Sequence, residues 1–472
     1  MFDALRFLDS KAEELGEVAL MIWDYSELGF QEHKSAKAQA DYLARYGFRI
    51  NLGAGGIPTA LVAEWGQGSP VIGFLGEYDA LAGLSQEVSA TKKPRVSGAP
   101  GHGCGHNLLG TGCVGAALAL KDYLASTGKS GTVRYYGCPA EEIVAGKVFM
   151  AREGLFSDLD AAITWHPANV NTVRLSVGTA VNSVRFRFHG KTAHAAGDPH
   201  NGRSALDAVE LMNVGANYLR EHIINTARLH YVITNGGGQP NVVPAEAEVW
   251  YFVRAPHRFQ VEEIYGRLTD IAKGAALMTG TIFDIQFLTG CYEMLLNRPL
   301  VDVQYKNLVK VGAPPFDAKD EELAKALFET FDKNSVEASL QAPGLREAAD
   351  QLRGKVLHNG VIAPAGEGVV SGGSTDVGDV SWIAPTVTLS IATEPIGCPG
   401  HSWQHTASDA SPIGLKGMMA AAKVQALTAI DLVEKPELLK KAKAEHKRLT
   451  EGRPYKCPFP EGEPFPLDEF FK

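Results

Sequence analysis

Cysteine is scarce in this chain, with six residues in 472. So sparse a set builds no disulfide framework, and in a reducing compartment each thiol is either free or a metal ligand. Positive charge is in deficit: 45 lysines and arginines against 54 aspartates and glutamates leave a net charge of −9. With no basic stripe, nucleic acid is not expected as a partner. Low-complexity runs and internal repeats are missing, as are apolar stretches long enough to cross a bilayer. The opening segment MFDALRFLDSKAEELGEV mixes acids with bases and lacks the basic head and unbroken apolar core of a secretory signal. These absences predict a cytoplasmic protein with no membrane partner.

What is present points to two domains, since the chain is too long for one ordinary core. Residues 1–180 alternate helix and strand: TALVAEW and VIGFLGEYDA read as strands, and LLGTGCVGAALALKDYLAS reads as a helix. From residue 181 the texture changes. SVRFRFHG alternates, with Val184, Phe186 and Phe188 on one face and Arg185 and Arg187 on the other. The order β-α-β-β-α-β over 181–295 predicts an α+β, ferredoxin-like insert, and SVRFRFHG is expected at its edge. The α/β texture resumes over 296–472. The expected fold is therefore a discontinuous catalytic α/β domain with a central mixed sheet, carrying an inserted dimerisation or lid domain.

Glycine is plentiful, at 50 residues. Six of the fifteen residues of GAPGHGCGHNLLGTG are glycine, and Cys104 and His106 sit among them. Three further clusters carry possible ligands: Glu141 and Glu142 in CPAEE, His166 in TWHP, and His401 and His405 in GHSWQHT. A lone histidine is more often structural than a ligand, and a lone acidic pair more often a solvated turn. Here all four clusters follow strands of one proposed sheet, so their loops can converge at one edge. Thiolate, imidazole and carboxylate all suit zinc- or manganese-class ions. Cys104, His106, Glu142, His166 and His401 are too many for one open tetrahedral ion and suit two. Such a pair activates a water and stabilises an oxyanion. Glu141 is then available as general base.

Two rivals arise from the residues alone. GHSWQ is one residue from the nucleophile-elbow pattern, but polar residues are expected to separate Ser402 from any helix. Cys104 as a thiol nucleophile leaves the acidic pair and His166 unexplained.

GCGHN, PAEE, WHP, GKTAHAAGDPHNG, QPNVVPAEAEVWYFVRA and GHSWQ occur in the order used by dinuclear metallo-amidohydrolases of the aminoacylase, glutamate carboxypeptidase and hippurate hydrolase group. The chain resembles that group along nearly its whole length. The resemblance implies that Cys104, His106, Glu142, His166 and His401 bind two divalent ions, Mn2+ or Zn2+, and that Glu141 is the catalytic base. It implies that Asp79 of GEYDA orients a site residue. His194 of GKTAHAA is implied to donate to the oxyanion in a neighbouring subunit's site, and Asn241 and Arg254 to bind the substrate's free carboxylate. A guanidinium fork suits that task. The implied reaction is hydrolysis of the amide bond of an N-acyl amino acid, p-aminobenzoyl-glutamate or a related aromatic N-acyl-glutamate or -aspartate foremost. Hippurate-type or auxin-conjugate-type hydrolysis and a non-catalytic binding subunit are the alternatives. The implied assembly is a homodimer or a heterodimer with a related chain. Three departures stand out: Glu77 where the group usually has Asp, Gly103 and Asn107 flanking the CGH element, and HSW in place of a proline-containing ending, which leaves His405 as a rival to His401. His102 and His200 are left without a role.

Overall fold

The structure, a computed structural model, describes residues 3–342 and 344–470. The chain forms two compact units. The first comprises Met1–Val177, Met294–Ser371 and Asp379–Lys456; the second comprises Gly178–Glu293, Gly372–Gly378 and Cys457–Lys472. The sequence reading assigns 372–378 and 457–472 to the first, but residues 372–378 and 457–470 group with the second. Thr179 donates its N–H to the Gly373 carbonyl at 2.7 Å, and Phe459 meets Phe287 edge to face at 6.2 Å.

Among its described residues the first unit holds seven strands: β1 (Arg49–Leu52), β2 (Leu61–Gln67), β3 (Val71–Glu77), β4 (Gly131–Cys138), β5 (Ala161–Ala168), β6 (Thr172–Val173) and β11 (Thr386–Ala392). They are ordered β1-β2-β4-β3-β5-β11-β6. The central four, β4, β3, β5 and β11, run parallel, while β1, β2 and β6 are antiparallel to their neighbours. Those parallel strands read as near-continuous apolar runs because both faces are covered. All four end on one edge of the sheet, where open α/β sheets place their sites.

One helix, His106–Thr127, departs from the expectation of no span-length apolar segment. Its mean hydropathy reaches 1.2 over 18 residues, but 78% of that window is buried inside the protein. It is a core helix: Leu108, Val114 and Leu118 pack with Leu15, Ile163 and Met418. Glycines let it approach the sheet. A Cβ at Gly110 would lie 2.4 Å from the Glu77 carbonyl oxygen, so the start of the helix rides directly on the end of β3.

The second unit contains β7 (Ala180–His189), β8 (Arg228–Asn235), β9 (Glu246–Ala255) and β10 (Ile282–Cys291), ordered β10-β7-β9-β8 and antiparallel throughout. This is the ferredoxin-like order. Helices Ala205–Leu219 and Arg258–Thr279 share a core with Val184, Phe186, Phe188, Val249 and Tyr251. One expectation fails here: β7, which carries SVRFRFHG, is interior, paired with β9 on one side and β10 on the other. The edges are β8 and β10. Alternation reveals which face a strand buries but not which strands flank it.

Candidate metal centre

Five elements of the first unit deliver polar side chains to one place. β3 ends at Glu77, with Asp79 two residues on. The glycine loop delivers Cys104 and runs into the helix whose first residue is His106. A turn after β4 holds Glu141 and Glu142, bracketed by Ala140 at φ 55° and Val144 at φ 50°. β5 carries His166, and the loop after β11 carries His401 at φ 52°. Such left-handed non-glycine residues are costly and gather at functional sites. Glu32, fully buried, accepts the Ala140 N–H at 2.8 Å and so fixes the turn that presents the acidic pair.

The imidazoles are presented by their outer hydrogen bonds. His106 Nδ1 donates to Asp79 Oδ1 at 2.8 Å, which leaves the lone pair on Nε2. His166 Nδ1 donates to the Pro167 carbonyl at 2.6 Å with the same result. Metal-binding histidines are oriented in this way. Asp79 also accepts the Glu142 N–H at 2.9 Å through Oδ2, so one carboxylate positions two donors. Burial opposes the charge on Asp79, but His106 beside it and these hydrogen bonds bring its pKa below the ordinary carboxylate value.

The donors fall into three groups, each with its ligand atoms within 4.8 Å of one another: Cys104, His106 and His166; Cys104, Glu142 and His401; Glu77, His106 and Glu141. Cys104 Sγ lies 3.5 Å from His166 Nε2, and His401 Nε2 lies 3.3 Å from Glu142 Oε2. Two donors each about 2.0–2.3 Å from one tetrahedral ion stand roughly 3.3–3.6 Å apart. Glu77 Oε2, His106 Nε2 and Glu142 Oε1 are buried without hydrogen-bond partners among the described residues. Orphaned atoms of ligand type at ligand spacing fit divalent cations. Burial pushes the Cys104 thiol well up, and lifts Glu142 to about 7.

His405 stands apart from these groups. It is buried with its Nε2 3.1 Å from Glu394 Oε2 and 3.6 Å from Asp409 Oδ2. Burial pushes Glu394 up to about 8 and His405 down to about 3, so both stay uncharged near neutrality. His102 is likewise buried, donating through Nε2 to the Ile22 carbonyl at 3.1 Å and tying the glycine loop to its neighbouring helix. Ser402 caps the helix Trp403–Asp409, donating to the Pro399 carbonyl at 2.6 Å. The helix thus begins immediately after Ser402, against the expected polar spacer, yet the hydroxyl is engaged by backbone rather than by a base.

The remaining candidates lie in the second unit. His194 is exposed, and its Nδ1 accepts the N–H groups of Ala196 and Gly197 at 3.2 and 3.0 Å. Its Nε2 therefore carries the proton and is a donor. Asn241 adjoins it: the Ala195 N–H donates to the Asn241 carbonyl at 3.0 Å. Arg254, near the end of β9, donates to Ser374 Oγ at 2.7 Å, and its guanidinium lies 5.3 Å from the Phe252 ring centre. Among the described residues no carboxylate pairs with it. His200 is exposed in the turn Pro199–Asn201.

Sequence reasoning leaves Glu77 in doubt and passes over Lys147, Arg174, Glu394 and Asp409. Only the last carries a signal, the four-residue spacing from His405 along one helix. Arg174 follows β6; burial lowers its pKa, while Cys104, Glu141 and Glu77 raise it. After burial, it is the largest influence keeping His166 neutral.

Residues 167–278 match the model of a peptidase dimerisation domain of the M20 type. The B subunit of the p-aminobenzoyl-glutamate hydrolase of Escherichia coli (strain K12) is 44% identical over 99% of this chain and 100% of its own length. Xaa-Arg dipeptidase of Mus musculus is 29% identical over 93% of this chain and 90% of its own. A solved dinuclear metal-binding peptidase of the M20 family from Bacillus subtilis covers 90% of this chain and 99% of its own with a TM-score of 0.56, at 18% identity. With a relative so similar from end to end, and with the two-unit fold and dimerisation domain in place, the chain belongs to the M20 family of metallopeptidases and amidohydrolases.

Proposed function

We propose that this protein hydrolyses the amide bond of an N-acyl amino acid in the cytoplasm, with p-aminobenzoyl-glutamate or a related aromatic N-acyl-glutamate or -aspartate as substrate. The carrying observation is that two groups of three donors share Cys104, with Glu141 beside them. Cys104, His106 and His166 would hold one divalent ion, and Cys104, Glu142 and His401 the other, Mn2+ or Zn2+. When bound, such ions supply Lewis-acid activation of water and carbonyl.

The chain's own residues do the rest. Glu141 takes the proton from the attacking water and passes it to the leaving nitrogen. Asp79 is a positioning residue that aims His106 and fixes the Glu142 turn. His194 donates its Nε2–H to the developing oxyanion in the site of a neighbouring copy. Arg254, with donors to spare, and Asn241 bind the free carboxylate of the amino-acid half. The second unit supports pairing of copies through β8, an edge strand whose Tyr231, Val232 and Ile233 are exposed, and helix Ala205–Leu219 exposes Leu211, Val214 and Tyr218. The partner is a second copy or a related chain, in keeping with an Escherichia coli relative that is itself one subunit of a hydrolase. None of the six cysteines forms a disulfide, in keeping with a reducing compartment.

A dipeptidase reading draws on the 29% identical relative. A hydrolysis screen with added manganese decides between them: p-aminobenzoyl-glutamate, hippurate and an auxin–aspartate conjugate on one side, Xaa-Arg dipeptides on the other. Cleavage of the dipeptides alone would overturn the first reading, and cleavage of neither class would overturn both.

A further inference from the structure

β3 ends on Glu77, a buried acid that the proposed pair of triads leaves unused. Its two oxygens have different surroundings. Oε1 is 2.6 Å from Lys147 Nζ, and that lysine side chain is fully buried. Oε2 is 3.3 Å from His106 Nε2, and neither atom has a hydrogen-bond partner among the described residues. The spacing is short enough for an ion pair, yet the geometry makes no N–H···O bond. It is the spacing of two ligands on one cation, roughly 3.3–3.5 Å across a tetrahedral edge. Glu77, His106 and Glu141 also form a donor group of their own.

The scaffold holds this juxtaposition firmly. Gly110, one turn into the helix that His106 begins, lies against the Glu77 carbonyl, so the two donors are fixed by adjoining backbone. Lys147 lies on the short helix Gly146–Arg152, where a Cβ at Gly146 would fall 1.7 Å from the Pro139 carbonyl oxygen. A buried ion pair is seldom more stable than apolar side chains of the same size. Packing alone therefore does not account for a lysine and a glutamate here.

We infer that Glu77 is a sixth protein donor to the cation pair, offering Oε2 to the ion at His106 while Lys147 holds Oε1 and keeps the carboxylate monodentate. The side chain is one methylene longer than the Asp usual in this motif, and that length carries Oε2 to the metal-facing nitrogen. This inference rests on the proposed metal centre.

The test uses the full-length protein, stripped with chelator and reloaded with manganese, zinc or cobalt. Bound metal is counted by mass spectrometry, affinities come from chelator competition, and the cobalt form gives an electronic spectrum that reports coordination. Glu77→Asp keeps the charge against Lys147 but withdraws Oε2. The double variant Glu77→Gln, Lys147→Met removes the ion pair together and leaves no lone buried charge. Circular dichroism and thermal midpoints establish that each is folded. Both should retain one ion near wild-type affinity and bind the other at least about tenfold more weakly, since loss of even an outer-shell partner costs about 10–100-fold. The cobalt spectrum should change with them, which a purely structural role for Glu77 would not cause. Folded variants that hold two ions with wild-type affinity and an unaltered cobalt spectrum overturn the inference and leave the metal centre standing. A wild-type protein that takes up no ion sinks the centre and the inference together.

Discussion

At the scale of single residues, the proposed mechanism separates positioning from chemistry. Glu141 lies in the donor cluster, its Oε2 4.0 Å from His106 Nε2, while Asp79 bonds His106 and the Glu142 N–H. Glu141→Gln should keep its full complement of metal and lose roughly 10²–10⁴-fold in kcat, the usual span for a general base. Metal analysis beside steady-state kinetics checks this, and near-normal turnover would remove Glu141 from the base role. His401 and His405 should part company. His401→Ala should lose bound metal, whereas His405→Ala should keep it and lower the thermal midpoint, because its ring is buried between Glu394 and Asp409. The opposite pattern would exchange their roles. The convergence of these candidate donors was legible in the sequence, because Cys104, His106, Glu142 and His166 sit in compact motifs at strand ends. The pairing of Glu77 with Lys147 was not. Seventy residues separate them, and only the folded sheet and the short helix after β4 bring them to 2.6 Å.

At the scale of elements, the second unit ties three strands through one imidazole. His189 on β7 meets Glu246 on β9 through Nδ1 and Asp284 on β10 through Nε2, both at 2.6 Å. The neighbouring Arg187 is paired with Glu248 at 2.9 Å. Both ring nitrogens can donate only when the ring is protonated. The Asp284 hydrogen bond, opposed by partial burial and aided by Glu246, raises the pKa of His189 above the ordinary value of 6.5. A folded pKa above the unfolded one means stability fully present below the unfolded pKa and lost as pH rises through the folded one. The thermal midpoint difference between wild type and His189→Gln should therefore be largest near pH 6 and shrink at alkaline pH. A difference that grows with pH would contradict this. Strand identity and the ferredoxin-like order were readable from SVRFRFHG, RLHYVIT and EAEVWYFVR, but the interior place of β7 was not. Period-two alternation fixes a face, and which strands lie alongside depends on pairings distant in sequence.

At the scale of the whole molecule, the proposed centre requires two chains. Chains carrying Glu141→Gln and chains carrying His194→Ala should each be nearly inactive, since an oxyanion donor is worth roughly 10²–10³-fold in kcat. Mixed under conditions that exchange subunits, they should recover part of the activity, because one of the two sites in a mixed dimer has both groups intact. If exchange is demonstrated by native mass spectrometry and the mixture stays inactive, His194 acts within its own chain. The order of the donors along the polypeptide has a consequence for how the protein is made. Four of the five, Cys104, His106, Glu142 and His166, precede Gly178, and His401 follows Met294, after most of the second unit has been synthesised. A nascent chain leaving the ribosome from its N-terminus carries every donor of one group long before His401 completes the other. The second of the two proposed triads is therefore completed only late in synthesis, and a chain truncated before residue 401 carries the donors of the other alone.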